Sequence, residues 1–251
     1  MLAAGAVALL AWGVRSLTTG GALAAWVVGI AVLVGTGWAG SAVLAAFFVS
    51  SSVIGRLAPA QAGLDPKGER RDPWQVAANG GPAALGALLG LHDPSLGLWV
   101  VTGSLAAAAA DSWGTAAGGW SRTPPRRLLL GVELARGISG GMTVSGTVGA
   151  AVGALLVAAT GAAAGAAPAL LPVGTLVGFV GMVADSAVGS AWQGRFRCPA
   201  CDVASEWRVH RCGTRTVRLG GLAWLDNDGV NLAASALGAV LAGMAWRCWS
   251  R

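Results

Sequence analysis

Charged side chains are scarce in this chain and make up 11% of its 251 residues, where a soluble domain carries about 25%. Hydrophobic residues make up 55%. This shortage of charge excludes an ordinary soluble domain and leaves no stretch in which a separate one could fold. The net charge of +6 does not indicate nucleic acid as a partner, because lysine and arginine lie almost entirely between the apolar stretches. The sequence therefore predicts a membrane protein.

About 20 apolar residues span the hydrocarbon core of a bilayer. Stretches of this kind predict an all-α polytopic integral membrane protein with about eight transmembrane helices (six to eight), some of them broken by Gly or Pro, in a single transmembrane domain over residues 1–251. The apolar segment 1–14 lacks a basic region before it, so we interpret it as a first short helix and not as a cleaved export signal. The predicted helices are 2–14, 21–36, 38–55, 74–91, 96–118, 139–162, 170–194 and 221–246.

Lysine and arginine are absent from the connections near 92–95 and 166–169, and they cluster in the alternate ones. The positive-inside rule places the basic loops in the cytoplasm, which predicts a multi-pass plasma-membrane protein with both termini outside. The same loops could also receive an anionic ligand. The basic loop residues are Arg56, Lys67, Arg70 and Arg71, then Arg122, Arg126, Arg127 and Arg136, then Arg195, Arg197, Arg208, Arg211, Arg215 and Arg218.

Ionisable residues are nearly absent from the predicted helices, and the exceptions are the acidic residues Asp111, Asp185, Asp226 and Asp228. An Asp at the centre of a lone transmembrane helix costs about 2.5 to 3.5 kcal/mol, so such residues usually face a cavity and a partner. Because the predicted helices contain no lysine or arginine, the partner is most simply a bound cation or a proton, unless a loop arginine folds over the site. The simpler alternative is that each Asp lies near a helix end and reaches water.

Four polar residues share one depth in the predicted bundle. Asn79, Asp111, Asp185 and Asp226 each lie six to nine residues from the cytoplasmic end of a predicted helix, which is about 9 to 14 Å. Carboxylate and amide oxygens are the ligands that Mg²⁺ prefers, together with substrate phosphates and water. We therefore expect four helices to converge on a site for Mg²⁺ and a nucleotide.

Two glycine-rich segments, 79–82 and 137–142, lie near these residues. Backbone N–H groups in glycine-rich turns and at helix starts bind phosphates. Pro82 must disturb its helix, and broken membrane helices are tolerated where they line a cavity. The second segment follows a basic loop and opens the predicted helix 139–162. The candidate phosphate-binding residues are Gly80, Ser139, Gly140 and Gly141.

The cysteines pose a separate question, because three of the four lie with a histidine in the cytoplasmic loop 195–219. Three thiols and one imidazole form an accepted tetrahedral zinc set, and a reducing cytoplasmic loop preserves it. Such a zinc ion would be structural, since it would stabilise a hairpin that has no core of its own. A redox pair or unligated thiols are the alternatives. The candidate ligands are Cys198, Cys201, His210 and Cys212.

Several segments, in their order and number, resemble a known family over about residues 20–240. They are Phe47-Phe-Val-Ser-Ser-Ser, Arg70-Arg-Asp-x-x-Gln-Val-Ala-Ala-Asn-Gly, Ala110-Asp-Ser-Trp-Gly-Thr, Gly137-Ile-Ser-Gly-Gly, Asp185-Ser-x-x-Gly and Asn227-Asp-Gly-Val-Asn. The chain is similar in these segments to the domain-of-unknown-function ninety-two family, also called transmembrane protein nineteen-like. That family includes plant phytyl-phosphate kinase.

The resemblance implies a membrane prenyl-phosphate kinase that transfers a phosphoryl group from CTP, or another nucleoside triphosphate, to an isoprenoid monophosphate at the cytoplasmic face. It implies Mg²⁺-dependent catalysis by Asp111, Asp185 and Asp228, with Asp226 as a further metal ligand. One departure is that Ala116 and Ala117 stand where the family generally has a Glu, which leaves the number of metal ions open. The residues expected to bind substrate or nucleotide are Lys67, Arg70, Arg71, Asn79, Gly80, Ser112, Thr115, Ser139, Gly140, Gly141, Asn227 and Asn231.

The expected partners are a nucleoside triphosphate, an isoprenoid phosphate and membrane lipids, with no nucleic acid and with a homo-oligomer left open. The alternative function is a cation- or proton-coupled transporter or flippase of lipid phosphates, whose acidic residues would lie near the bilayer midplane. A scaffold protein would explain the Gly and Ala packing. It would not explain the shared depth of the acidic residues.

Overall fold

The structure, a computed structural model, describes residues 1–59, 70–128, 131–134, 138–165 and 167–250. Within these ranges the chain forms seven α-helices and five short β-strands. The helices are α1 Leu2–Gly13, α2 Thr19–Leu57, α3 Pro73–Leu89, α4 Pro94–Gly119, α5 Val144–Ala163, α6 Leu170–Trp192 and α7 Asn227–Trp249. The strands are β1 Arg126–Arg127, β2 Gly141–Met142, β3 Arg195–Cys198, β4 Val203–Ser205 and β5 Val217–Gly220.

Helix α2 contains 39 residues, yet both of its ends lie at the same end of the molecule. A straight helix of that length would measure about 58 Å. The side chain of Arg56, near the end of α2, nevertheless donates a hydrogen bond of 2.7 Å to Ser16 Oγ, just before α2 begins. The chain reverses at Gly37, whose φ of 64° and ψ of −152° are open essentially to glycine. The predicted helices 21–36 and 38–55 are the two antiparallel halves of α2.

Helix α4 forms the centre of the bundle, where α2, α3, α5, α6 and α7 all pack against it. Every residue from 97 to 110 is buried. Small residues let the backbones touch: a Cβ on Gly103 would lie 2.6 Å from the carbonyl oxygen of Gly238 in α7. In lipid, helix association depends on such close packing because the tails are as apolar as the side chains.

The outer faces of the helices are apolar. Val144, Val148, Val152 and Leu155 are exposed along one side of α5, and soluble monomers rarely expose large apolar patches. Among the described helices, α2, α5, α6 and α7 are long and apolar enough to cross a membrane, and α1 is apolar but shorter. The all-helical fold expected from the sequence is observed, and the number of six to eight crossings stays a prediction.

The basic loops meet at one end of the bundle, which we call the loop end. There Arg71 N donates to Ser16 O at 2.9 Å, a Cβ on Gly119 would lie 3.3 Å from Pro59 Cδ, and Ser139 N donates to Glu206 Oε1 at 3.3 Å. At the opposite end, Trp246 Nε1 near the end of α7 donates to Ser95 Oγ at the start of α4, at 3.0 Å. The prediction that these loops share one side of the membrane is consistent with this arrangement.

The start of α5 differs from the prediction. The helix expected at 139–162 begins at Val144, and Thr143 caps it by accepting a hydrogen bond from Gly146 N. The glycine-rich segment therefore precedes the helix and does not open it. The physical reason is that Gly140 has a φ of 81°, which a helix cannot contain, and that β2 pairs with β1.

The reversal in α2 yields a test of the fold. Gly37→Ala should destabilise the protein by about 1 to 3 kcal/mol, because alanine rarely adopts the conformation of residue 37. Thermal unfolding in detergent measures the effect. Gly55→Ala, in the same helix, is the control, since a Cβ there meets nothing within 4 Å. Equal midpoints for the two variants would contradict the assignment of the reversal to Gly37.

Candidate functional site

A polar cavity of about 650 Å³ lies at the loop end. Asn79 of α3, Asp111 of α4, Asp185 of α6 and Asn231 of α7 all line it, and residues of α2 and α5 complete the lining, so six helices contribute to it. The structure brings together most of the residues that the sequence singled out. Those lining the cavity are Arg71, Asn79, Asp111, Ser112, Thr115, Ser139, Gly140, Gly141, Asp185, Asn227 and Asn231.

Two carboxylates from different helices line the cavity. Asp111 and Asp185 lie eight and seven residues before the ends of α4 and α6, about 12 and 10 Å deep, and are close enough for their charges to interact. Within the described part of the chain, Asp185 Oδ2 and Asn231 Oδ1 are buried without a hydrogen-bond partner. Buried acceptor oxygens of this kind are the hard ligands that Mg²⁺ prefers, so the lining fits a divalent cation.

Asp226 and Asp228 occupy other positions than expected. The helix predicted at 221–246 begins at Asn227, so the expected depth of Asp226 is wrong. Asp226 is the N-cap of α7, exposed, with its Oδ1 accepting a hydrogen bond of 3.0 Å from Gly229 N. The described cavity lining includes neither acid; from this helix it includes Asn227 and Asn231.

Arg71 brings a positive charge to the cavity. Its backbone is held by the segment before α2, since its carbonyl accepts a hydrogen bond of 3.1 Å from Thr18 N. Its guanidinium lies 5.5 Å from the ring centroids of Phe47 and Phe48, a favourable cation–π distance. Burial lowers the pKa of Arg71 to about 10, so the side chain stays charged at neutral pH. Arg70 is exposed and absent from the described lining, and Lys67 lies outside the described residues.

An apolar groove adjoins the cavity between α1, α2 and α3 and has a volume of about 170 Å³. Its walls are mainly Ala, Val, Leu and Phe side chains. Arg71, Gln75 and Asn79 line both the groove and the cavity, so they form a wall between the two spaces. Gly80, a predicted phosphate-binding residue, lines the groove instead, and its Cα faces Val28.

Sequence reasoning missed Glu206, which reaches the cavity from the loop after β4. Ser139 N donates to Glu206 Oε1 at 3.3 Å, and Ser139 Oγ donates to the same oxygen. Burial raises the pKa of Glu206, against the lowering effect of the hydrogen bonds from Ser139. Its charge also acts on Asp185. The loop thus adds an acidic group to the cavity.

The Cys/His residues of the same loop lie together. The ligand atoms of Cys198, Cys201, His210 and Cys212 are all within 4.8 Å of one another, so the cluster could hold a metal ion. Cys198 Sγ and Cys212 Sγ are 3.6 Å apart, which is too long for a disulfide. Two thiolates on a tetrahedral zinc ion are about 3.8 Å apart, given Zn–S bonds of about 2.3 Å.

Helices able to cross a membrane, an apolar outer surface and a polar cavity at one end define a helical integral membrane protein. The chain belongs to the family described as Integral membrane protein DUF92, whose model matches residues 2–239. This match confirms the resemblance found in the sequence segments. The chain matches no curated protein and no solved structure.

The acidic pair predicts a response to divalent cations. Mg²⁺ or Mn²⁺ at about 100 times its Kd should stabilise the protein by about 2.7 kcal/mol, and Asp185→Asn should remove most of that gain. In the presence of a chelator, Asp185→Asn should be more stable than the unmodified protein, because one of two interacting negative charges is gone. Unfolding midpoints with and without the cation measure both effects.

Two matched variants serve as controls for this response. Asp93→Asn, at the far end of α4, and Asp226→Asn each remove a carboxylate but keep an N-cap acceptor, since asparagine caps helices as well as aspartate. Both should retain the full cation response. If the cation stabilised Asp185→Asn as much as it stabilises these two controls, the assignment of the cation site to Asp185 would be wrong.

Proposed function

We propose that the chain is a prenyl-phosphate kinase that converts an isoprenoid monophosphate into the diphosphate with CTP or another nucleoside triphosphate. The observation that carries the proposal is the wall formed by Arg71, Gln75 and Asn79 between an acidic cavity and an apolar groove. A substrate with a hydrocarbon tail and a phosphate head matches both spaces. The tail would lie in the groove, and the phosphate would reach the cavity beside Arg71.

Arg71 would bind the lipid phosphate through charge-assisted hydrogen bonds. The glycine-rich turn would offer the backbone N–H groups of Gly140 and Gly141 to the nucleotide phosphates, while Ser139 donates its own N–H and hydroxyl to Glu206. This turn packs closely against α6, because a Cβ on Gly140 would lie 2.5 Å from Ser190 Cβ. A lipid phosphate oxygen would attack the γ-phosphorus, and the nucleoside diphosphate would leave. Phosphoryl transfer requires mainly such positioning and charge neutralisation.

Asp111 and Asp185, with Asn227 and Asn231, would hold Mg²⁺. When bound, Mg²⁺ neutralises charge on the phosphate oxygens during transfer. The buried acceptors Asp185 Oδ2 and Asn231 Oδ1 support this assignment. We also assign a structural zinc ion to the Cys/His cluster, because three thiols and an imidazole are a common zinc set.

We further propose that the loop end faces the cytoplasm of a plasma-membrane protein with about eight crossings. The two halves of α2 each have the length of one crossing, and the basic loops and the cavity share one end. The positive-inside rule places that end in the cytoplasm, where nucleoside triphosphates are available. In a Cys248→Ser chain, a cysteine introduced at a loop-end position should therefore react with a membrane-impermeant reagent only after the cells are opened.

The direct test uses protein purified in detergent with CTP, Mg²⁺ and farnesyl or geranylgeranyl phosphate. The diphosphate should form, and Asp111→Asn and Asp185→Asn should each lower kcat by about 100- to 1,000-fold without loss of folding. Product analysis by mass spectrometry follows the reaction. Absence of product with every nucleotide, together with ion-driven movement of lipid phosphate in liposomes, would overturn the kinase in favour of a transporter.

The lipid-binding role of Arg71 has a test with a neighbouring control. Arg71→Gln should raise KM for the prenyl phosphate by about 10- to 100-fold, the effect of losing a hydrogen bond to a charged group. Arg71→Lys should give a KM between those of the parent and Arg71→Gln. Arg70→Gln removes an exposed charge one residue away and should leave KM unchanged. Equal KM increases in the two glutamine variants would mean that the phosphate does not bind at Arg71.

A further inference from the structure

Glu206 lies on the chain between the two turns that carry the Cys/His cluster. The first turn runs from Cys198 to Asp202 and the second from His210 to Gly213, and each is closed by a backbone hydrogen bond of 2.9 Å. The two turns bring their thiols and imidazole to within 4.8 Å. The intervening segment, which carries Glu206, is therefore joined to the cluster at both of its ends, and it is also paired with β3 through Ser205.

The sheet that carries these turns has little core of its own. Strands β4, β3 and β5 form a three-stranded antiparallel sheet, but Val217, Leu219 and the following Leu222 are exposed. Phe196 and Cys198 are its buried apolar side chains within the described residues. A small sheet needs a packed face for independent stability, and a bound metal can supply what the core lacks.

Glu206 connects this sheet to the glycine-rich turn of the cavity. Its carboxylate accepts hydrogen bonds from the backbone N–H and the hydroxyl of Ser139, 67 residues away. Its charge reaches Asp185. The contact therefore fixes one wall of the cavity and adds a negative charge beside the acidic pair.

We propose that a zinc ion bound by Cys198, Cys201, His210 and Cys212 holds Glu206 against Ser139, and that Glu206 is a positioning residue for the glycine-rich turn of the cavity. The zinc ion would then act on the cavity from outside it. Loss of the metal would release Glu206, and the turn would lose its hydrogen-bond acceptor. The linkage concerns structure and metal content and does not depend on which reaction the cavity supports.

The first test measures zinc and backbone mobility in the full-length protein in detergent. Atomic emission should find about one zinc ion per chain, and a strong chelator should remove it. Hydrogen exchange should then rise at least tenfold in peptides covering residues 203–206 and 138–142, with α4 unchanged. Protein isolated without zinc after growth with added zinc would overturn the metal site. Zinc removal without faster exchange at 138–142 would overturn the linkage.

Three variants separate the metal from the carboxylate. Cys201→Ser should lower the zinc content and speed exchange in both segments. Glu206→Ala should keep the zinc and speed exchange at 138–142 alone, because only the acceptor for Ser139 is lost. Cys248 is a free exposed thiol outside the cluster, so Cys248→Ser is the control and should change neither the zinc content nor the exchange rates. Normal exchange at 138–142 in Glu206→Ala would refute the positioning role.

A second readout concerns cation affinity and rests on the proposed function. Glu206→Gln should weaken Mn²⁺ binding, followed by electron paramagnetic resonance, by about 10-fold, because a negative charge near the cation site is lost. An unchanged Mn²⁺ affinity in Glu206→Gln would mean that the charge of Glu206 does not act on the cation site. If wild-type protein bound no Mn²⁺, the proposed function would fail, while the zinc and exchange results would still decide the linkage.

Discussion

The site depends on the proximity of Asp111 and Asp185 inside a helix bundle. Two carboxylates in a region of low dielectric repel each other more strongly than in water, and burying them costs more unless a partner compensates. Arg71 is the basic residue in the described cavity lining, and it already contacts Phe47 and Phe48. The surrounding oxygens of Asn227 and Asn231 add further acceptors. Under the proposed function, a bound divalent cation would compensate these charges.

The sequence predicted the parts of the site that helix geometry determines. A fixed rise per residue gives Asp111 and Asp185 similar depths once the helix ends are marked, and both line the cavity. The prediction failed for Asp226, because an Asp before a glycine-containing first turn caps a helix more readily than it extends one. It also failed for the start of α5, because the positive φ of Gly140 cannot be deduced from apolar periodicity.

Long-range contacts lay beyond such reasoning. Glu206 looked like a loop residue, because the pattern of a sequence carries no signal for a hydrogen bond to Ser139, 67 positions away. The break at Gly37 was visible as a boundary between two apolar stretches. The full reversal of the chain there became clear only from the contact between Arg56 and Ser16.

The first turns of α3 explain how one helix can serve two spaces of opposite polarity. Gln75 and Asn79 are spaced four apart, so they form one polar stripe on a face of α3, and Arg71 immediately precedes the N-cap Asp72. The start of the stripe is fixed by a capping box, in which Asp72 N donates to Gln75 Oε1 at 3.0 Å and Gln75 N donates to Asp72 Oδ1 at 2.9 Å. Beyond Asn79 the helix continues with small and apolar residues. The polarity of α3 thus changes along its length, and under the proposed function this change would match the passage of the substrate from phosphate to hydrocarbon.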